Sequence, residues 1–209
     1  MKTNRLVLLG LVVVAVFMGW RLYEQKHADT GQLTVRQNGE TVILAWTGQV
    51  ELPMHTLLLR AFEEWRNRSR HFLLQLNSPG GSVREGGDVV ELLQRIKLTH
   101  RLDTYVASRN ICMSMCVPIF LQGSKRFAAP DARFMFHEPK RFYDDGSEAK
   151  GFSFERKALT QRFFSRYFVN SPMDANWRVQ LEKDWIGKDI FKSGKQLVEE
   201  NSGIVTDLE

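Results

Sequence analysis

The strongest constraint on the fold is an alternation along residues 41 to 137, where short apolar runs rich in β-forming residues are separated by helix-like segments. This order is typical of an α/β protein, in which helices connect the strands of a largely parallel sheet. Strands are predicted over Leu33–Arg36, Thr41–Thr47, Phe72–Leu76, Thr104–Ala107 and Arg133–His137. Helices are predicted over Pro53–Trp65, over a segment whose inner face is Val89, Leu92, Leu93 and Ile96, and over Ser114–Gln122.

The pattern changes after the last of these strands. Glu138–Gly151 is polar and turn-rich, which predicts a mobile loop. Phe152–Phe168 predicts a helix with Leu159, Phe163 and Tyr167 on one stripe. That stripe is explained either by a contact between subunits or by packing in the chain's own core, and the sequence leaves both open.

Composition and charge limit the class of protein. With 209 residues, 43% of them apolar and 25% charged, the chain suits one globular domain and excludes a disordered, collagen-like or polytopic membrane protein. The net charge of +5 raises the question of nucleic acid. The densest basic run is Arg66–Arg70, which predicts a solvated turn between a helix and a strand. We therefore expect no nucleic-acid partner.

The sequence of the amino terminus predicts a membrane-targeting segment. Leu6 to Trp20 carries no charge and follows Lys2 and Arg5, the layout of an export signal or a signal anchor. Cleavage usually needs small residues at alternate positions, and the stretch ends instead in Val16-Phe17-Met18-Gly19-Trp20. This favours an uncleaved anchor, although release by cleavage stays open. We expect residues 1–30 to be an anchor and juxtamembrane linker, crossing a bacterial inner membrane once through residues 6–23. Residues 31–209 would then form an α/β domain in the periplasm.

Two cysteines, Cys112 and Cys116, would lie in that oxidising compartment. A disulfide between them and a pair of buried thiols are both open readings. Two cysteines without a nearby histidine or cysteine pair supply too few ligands for zinc. We expect neither a metal nor another cofactor.

Two strand-to-helix junctions carry the residues suited to chemistry. Ser78-Pro79-Gly80-Gly81 has a glycine pair that allows a substrate backbone to approach and leaves N–H groups unpaired. Such N–H groups near a helix start favour negative charge, as an oxyanion hole requires. At the second junction, Cys112–Cys116, Ser114 suits a nucleophile, although a serine in this position is often only a helix cap.

Several further segments join these junctions in a set of motifs that occur in order over residues 41–207. They are Ile43–Glu51 with T-G-x-V, Leu76–Gly86 with N-S-P-G-G-x-x-x-x-G, Ser114-Met115, Arg133–Pro139 with H-E-P, Lys188–Ser193 with K-D-x-F-x-S, and Gly203–Asp207. The set resembles the ClpP family of self-compartmentalising serine peptidases, in the ClpP/crotonase superfamily. The resemblance implies an α/β fold of repeated ββα units, a polypeptide substrate and a homo-oligomer.

The resemblance also implies roles for individual residues. Ser114 matches the nucleophile, His137 the general base and Asp189 the acid that orients the imidazole. Gly81 and Met115 match the residues whose backbone N–H groups form the oxyanion hole. Asp184 is a rival acid, and Asp189 is preferred to it because Phe191 and Ser193 extend the match of its segment.

The chain also departs from the ClpP pattern around the serine. Asn110, Cys112, Met113 and Cys116 replace small residues, and these side chains would narrow or reshape the pocket. A serine between two cysteines on an exported chain resembles a group of predicted periplasmic ClpP-like proteins of bacteria. No ATPase partner is implied, because the periplasm has no ATP pool. The loop after His137 corresponds to the family's handle region, so ring stacking is not assumed.

The predicted activity is that of a serine endopeptidase, and the sequence leaves rivals open. A serine–lysine protease of the signal-peptide-peptidase type would use Lys157, which is flanked by Arg156 and therefore resembles a solvated lysine. A catalytically silent peptide-binding or scaffold module would keep the fold alone. Acyl-CoA chemistry of the crotonase branch is disfavoured because the domain is expected in the periplasm, and acyl-CoA is not expected outside the cytoplasm. A nucleophilic Cys112 or Cys116 would be silenced by a disulfide.

Overall fold

The computed structural model describes residues 31–140 and 153–209 and has an α/β architecture. The strands are β1 (Gln32–Asn38), β2 (Thr41–Thr47), β3 (His71–Asn77), β4 (Arg101–Val106), β5 (Ile111–Met113), β6 (Arg126–Ala128), β7 (Arg133–Phe136), β8 (Ile190–Ser193) and β9 (Asp207–Leu208). The helices are α1 (Met54–Trp65), α2 (Val83–Lys97), α3 (Cys116–Phe120), α4 (Ser153–Phe164), α5 (Ala175–Asp184) and α6 (Gly194–Glu199), and Ser165–Val169 continues α4 as a π-helical turn.

The main sheet has six strands in the order β1-β2-β3-β4-β6-β9. Strand β1 is antiparallel to β2, and the other neighbouring pairs are parallel. Three successive residues of β2, Val42 to Leu44, are buried, as expected for a central strand covered on both faces, whereas β3 is fully buried only at alternate positions. The fully buried residues Leu44, Leu74 and Val106 lie in this sheet. The predicted α/β class is therefore confirmed.

Helices α1 and α2 cover the sheet with their apolar faces. The predicted inner face of α2, made of Val89, Leu92, Leu93 and Ile96, is at most 2% exposed. Ser82 caps α2, because its hydroxyl accepts a hydrogen bond from the N–H of Glu85. The cap fixes where the helix begins, directly after the glycine pair.

A second, three-stranded sheet has the order β5-β7-β8. Strands β5 and β7 are parallel, and β8 is antiparallel to β7. The sheet is joined to the main one at Ser78, whose N–H donates to the carbonyl of Ile111 at 2.8 Å and whose carbonyl accepts from the N–H of Met113 at 3.0 Å. The Asn77 carboxamide oxygen also accepts from the Ile111 N–H at 3.2 Å. The Asn77-Ser78 pair therefore aligns β5 with the end of β3.

The aromatic stripe after residue 152 packs within the chain itself. Phe163, Phe164, Tyr167 and Phe168 are buried, and the rings of Phe164 and Trp185 lie 5.2 Å apart. The core-packing interpretation of this helix accounts for those side chains. Leu159, on the same stripe, is only partly buried.

Several sequence predictions differ from the structure in detail. The strand predicted over Thr104–Ala107 runs over Arg101–Val106. The helix predicted over Ser114–Gln122 begins at Cys116, because Ser114 has a positive φ of 51° and cannot lie in a right-handed helix. The strand predicted over Arg133–His137 ends at Phe136. Strands β5, β6, β8 and β9 were not predicted, since they have two to four residues each and carry too little periodicity.

The predicted membrane anchor and most of the predicted mobile loop lie outside the described residues. Residues 1–30 contain the anchor, and residues 141–152 contain most of the loop. Within 31–140 and 153–209, none of the helices has the length and apolar character needed to cross a bilayer.

Candidate active site

Ser114 lies in the short connection between β5 and α3. Its N–H donates to the carbonyl of Met135 at 2.8 Å, and its carbonyl accepts from the N–H of Val117 at 3.0 Å. Both backbone groups are therefore fixed while the residue holds a left-handed conformation with φ of 51°. A non-glycine residue in that region is uncommon and often marks a functional position.

His137 follows β7, the strand that pairs with β5. The register aligns Met113 with Met135, so the residues after these strands end near each other. His137 Nε2 lies 2.7 Å from Ser114 Oγ, a hydrogen-bond distance. The two side chains have the arrangement that a serine nucleophile and its base require.

Asp189 reaches the same place from the other side of β7. The antiparallel register pairs Phe136 with Ile190, which sets Asp189 opposite His137 at the strand end. Asp189 Oδ1 lies 3.7 Å from His137 Nδ1, and the carboxylate side chain is 52% exposed. This distance suits an ion pair but exceeds that of a hydrogen bond.

The imidazole of His137 has a shifted pKa. Burial lowers the pKa below its ordinary value of 6.5; the Asp189 carboxylate opposes that shift, Lys140 adds to it and Glu138 opposes it. A neutral imidazole is the form that can accept a proton from a serine hydroxyl. The shift therefore favours the neutral imidazole of His137 at neutral pH.

The glycine turn lies directly against Ser114. A Cβ added to Gly80, whose φ is 92°, would come within 2.7 Å of Ser114 Cβ and 3.1 Å of the Met115 nitrogen. Gly81 forms a parallel bridge with Val50, in which the Val50 N–H bonds to Gly80 and the Val50 carbonyl to Ser82. In such a bridge the N–H of Gly81 points away from Val50. Met115 precedes α3, where the first N–H groups have no intrahelical partner.

Cys112 and Cys116 form a disulfide that spans Ser114. Cys112 lies within β5 and Cys116 begins α3, so the disulfide joins the two elements on either side of Ser114. The Cα atoms are 5.2 Å apart, and both side chains are fully buried. The reading with two free thiols and the reading with a cysteine nucleophile do not fit this structure, because a disulfide sulfur is not a thiolate.

Removing the disulfide should weaken both the fold and the site. For Cys112→Ala/Cys116→Ala we expect a free energy of unfolding lower by about 2 kcal/mol, since a closed loop of this size restricts the unfolded chain. Thermal unfolding of the variant and the wild type measures the loss. Wild-type protein unfolded in a dithiol reductant should match the variant, while the variant itself should not respond to reductant. An equal response of both proteins would contradict this role.

The two residues proposed as rivals are both exposed. Asp184 ends α5, is exposed and accepts a hydrogen bond from Gln180 at 2.8 Å. Lys157 is exposed on α4, whereas a lysine base needs burial to lose its proton near neutral pH. The geometry therefore favours Asp189 and His137 over these two.

Sequence reasoning missed a second histidine–carboxylate pair. His71 Nδ1 lies 2.8 Å from Thr41 Oγ1, and His71 Nε2 lies 2.8 Å from Asp103 Oδ2. Burial would raise the pKa of Asp103, but hydrogen bonds from Arg101, the Lys125 N–H and His71 outweigh it and hold that pKa below its ordinary value. Thr41, His71 and Asp103 thus link the starts of β2, β3 and β4, at the opposite end of the sheet from Gly80. These contacts stabilise the pairing of the three strands.

The described part of the chain offers no set of ligands for a metal ion. Across 31–140 and 153–209, histidine, cysteine, aspartate and glutamate residues form no group of three that could hold an ion.

Comparison with known proteins gives a consistent set of matches. A family model for Clp protease matches residues 44–162, more than half of the chain. Among curated proteins, the ATP-dependent Clp protease proteolytic subunit of Chara vulgaris is 30% identical over 134 residues, covering 60% of this chain and 55% of that protein. The corresponding subunit of Pinus thunbergii is 30% identical over 125 residues, covering 58% and 60%. The chain thus spans somewhat more than half of each relative.

A solved structure extends the comparison to the fold. A ClpP1 mutant from Listeria monocytogenes superposes with a TM-score of 0.60 over 81% of this chain and 91% of that chain, at 19% sequence identity. At this identity the likeness concerns the fold alone.

Proposed function

Because this chain belongs to the Clp protease family, we propose that it is a serine endopeptidase that hydrolyses peptide bonds through an acyl-enzyme on Ser114. The observation that carries the proposal is the 2.7 Å contact between His137 Nε2 and Ser114 Oγ. A serine hydroxyl is a weak nucleophile unless a base within hydrogen-bond reach accepts its proton.

In the proposed first step, Ser114 Oγ attacks the carbonyl carbon of the scissile bond while its proton passes to His137 Nε2. The peptide C–N bond then breaks as the same nitrogen atom of His137 returns the proton to the leaving amine. A water molecule then attacks the acyl carbon while it gives a proton to His137 Nε2. The ester C–O bond breaks, the carboxylic acid product leaves, and His137 returns the proton to Ser114 Oγ. When the 3.7 Å gap to His137 Nδ1 closes on substrate binding, the Asp189 carboxylate accepts a hydrogen bond from that N–H and so orients the ring.

The oxyanion formed in each step needs donors that are already in place. The N–H groups of Gly81 and Met115 are the proposed donors, supported by the Gly81 bridge and by the helix start after Met115. Donors of this kind are typically worth about 3 kcal/mol each in the transition state.

The pH profile of hydrolysis should reveal the base. His137 must be neutral to accept a proton, so activity rises with pH through its pKa and is flat above it. Because burial lowers that pKa, the midpoint of kcat/KM against pH should lie below 6.5. Initial rates on a peptide substrate between pH 4.5 and 9 give the midpoint. A midpoint at or above 6.5 would contradict a buried base.

Hydrolysis of an unfolded polypeptide tests the proposed reaction. The full chain, purified in detergent, is incubated with a fluorescently labelled, unfolded protein in the absence of ATP, and the products are identified by mass spectrometry. New internal peptide termini support the proposal. Binding of the polypeptide without any cleavage would contradict it and favour the peptide-binding module.

One observation supports that second candidate. Asp189 lies 3.7 Å from His137 Nδ1 and is half exposed, so the acid is not hydrogen-bonded to the base in this conformation. A hydrogen bond needs a distance shorter by roughly 0.5 Å or more. Catalytic hydrogen bonds often tighten only when substrate binds, which keeps the peptidase as the first choice.

We also propose that the domain of residues 31–209 faces the periplasm, held by residues 6–23 in the inner membrane, and that it acts as a homo-oligomer. The uncharged stretch from Leu6 to Trp20 and the Cys112–Cys116 disulfide support an oxidising compartment. Protease added to intact spheroplasts should digest the domain. Protection of the domain until the membrane is lysed would contradict this orientation.

A further inference from the structure

The residue after the histidine has a distinctive set of contacts. Glu138 follows His137 directly and is partly buried. Its two carboxylate oxygens bind two different elements: Oε1 accepts from Thr160 Oγ1 at 2.9 Å, and Oε2 accepts from the backbone N–H of Gly187 at 2.8 Å. One side chain therefore joins β7, helix α4 and the segment before β8.

The segment that Glu138 contacts carries Asp189. It runs from Trp185, which is 1% exposed in the aromatic cluster, to Ile190, which pairs with Phe136 at the start of β8. Between these fixed ends the chain turns, with the Lys188 N–H bonded to the Trp185 carbonyl at 3.0 Å and Gly187 at a φ of 67°. The turn is exposed to solvent, so its position depends on the bonds made to it.

Glu138 makes such a bond two residues before the acid. A charge-assisted hydrogen bond from a backbone N–H to a carboxylate is stronger than a neutral one. Thr160, 8% exposed on α4, holds the other carboxylate oxygen and so limits the rotation of the Glu138 side chain. Hydrogen bonds thereby hold both oxygens of the Glu138 carboxylate.

We infer that Glu138 is a positioning residue, which holds the Gly187–Asp189 turn so that the Asp189 carboxylate stays within reach of His137. The inference rests on the proposed peptidase function and deepens it, because Glu138 acts through Asp189 and touches no reacting atom. Its importance follows from the 3.7 Å gap between Asp189 and His137, where a shift of 1 Å decides whether a hydrogen bond forms. A misplacement of that size typically costs about 100-fold in rate.

Three variants separate positioning from charge and from folding. Glu138→Ala removes both bonds. Glu138→Gln removes the charge but keeps both contacts, because the amide oxygen can accept from Gly187 while the amide nitrogen donates to Thr160 Oγ1. Thr160→Val removes only the hydroxyl with little change of volume. Asp184→Asn changes an exposed carboxylate that accepts a hydrogen bond from Gln180, and it serves as the matched control.

Steady-state hydrolysis of a peptide substrate by the full chain gives kcat and KM for each protein, after circular dichroism has established that it is folded. We expect Glu138→Ala to lower kcat by about 10- to 100-fold with KM within twofold of wild type, because the turn affects the chemical step. Glu138→Gln should recover most of that loss, Thr160→Val should fall between the two, and Asp184→Asn should match wild type.

The outcomes distinguish this inference from the proposed function. Wild-type protein without hydrolysis overturns the proposed function, and the positioning role with it. Hydrolysis by wild type together with a kcat of Glu138→Ala within twofold of it overturns the positioning role alone. Equal losses in Glu138→Gln and Glu138→Ala also overturn it, since charge would then be the cause. If Glu138→Ala does not fold, Thr160→Val decides: a kcat equal to wild type contradicts the inference.

Discussion

Replacing Ser114 by alanine should lower kcat/KM for peptide hydrolysis by at least about 10⁴-fold, the scale of loss when a serine nucleophile is removed. The loss follows from the chemistry proposed for the site, because His137 would have no hydroxyl to deprotonate and no acyl-enzyme could form. Initial rates with a fluorogenic peptide at saturating and limiting concentrations measure the change. Peptide binding, followed by fluorescence anisotropy, should be retained.

Ser114→Gly is the matched control for folding. Ser114 has a φ of 51°, a conformation that glycine adopts more readily than alanine does. The glycine variant should therefore unfold at the same or a higher temperature than the alanine variant and be equally inactive. Activity within tenfold of wild type in either folded variant would exclude Ser114 as the nucleophile.

Replacing His137 by alanine should have an effect of similar size, about 10⁴-fold or more in kcat. The imidazole lies 2.7 Å from the hydroxyl that it would activate, and burial lowers its pKa so that it is neutral when needed. The same assay measures this variant. His71 is not expected to replace it, since it is engaged with Thr41 and Asp103 at the far end of the sheet.

Lys157→Ala is the control that separates the two possible bases. Lys157 is exposed on α4, and its loss should change kcat by less than twofold. The reverse result, with full activity in His137→Ala and a large loss in Lys157→Ala, would replace the serine–histidine mechanism by a serine–lysine one.

The main sheet could be predicted from sequence because its strands have strong local signals. Strand β2 was predicted with the bounds that the structure gives it, and α1 and β3 to within one residue at each end. Their buried residues recur at the spacing of a strand or of a helix, so the local pattern is enough to identify each of them. The four buried residues of the α2 inner face were identified in the same way, because apolar residues at helical spacing lie on one side of a helix.

The site could be predicted only where a motif marks it. The glycine turn and Ser114 have local signals, and the resemblance to ClpP supplied His137 and Asp189. Glu138 had no such signal, because its partners Thr160 and Gly187 are 22 and 49 residues away in the chain and are set by the packing of α4 and β8. Strand β5 escaped prediction for a related reason: three residues are too few for periodicity, and pairing with Ser78 and β7 defines them.

Reaction with a fluorophosphonate probe tests the central claim most directly, because such probes form a covalent bond with the oxygen of an activated serine. The full chain is treated in detergent, the adduct is measured by intact mass, and peptide mapping locates it, with His137→Ala treated beside it. We predict one adduct, on Ser114, that is absent in His137→Ala. A folded wild-type protein with no adduct, or with its adduct on a different residue, would contradict the assignment of Ser114 as an activated nucleophile.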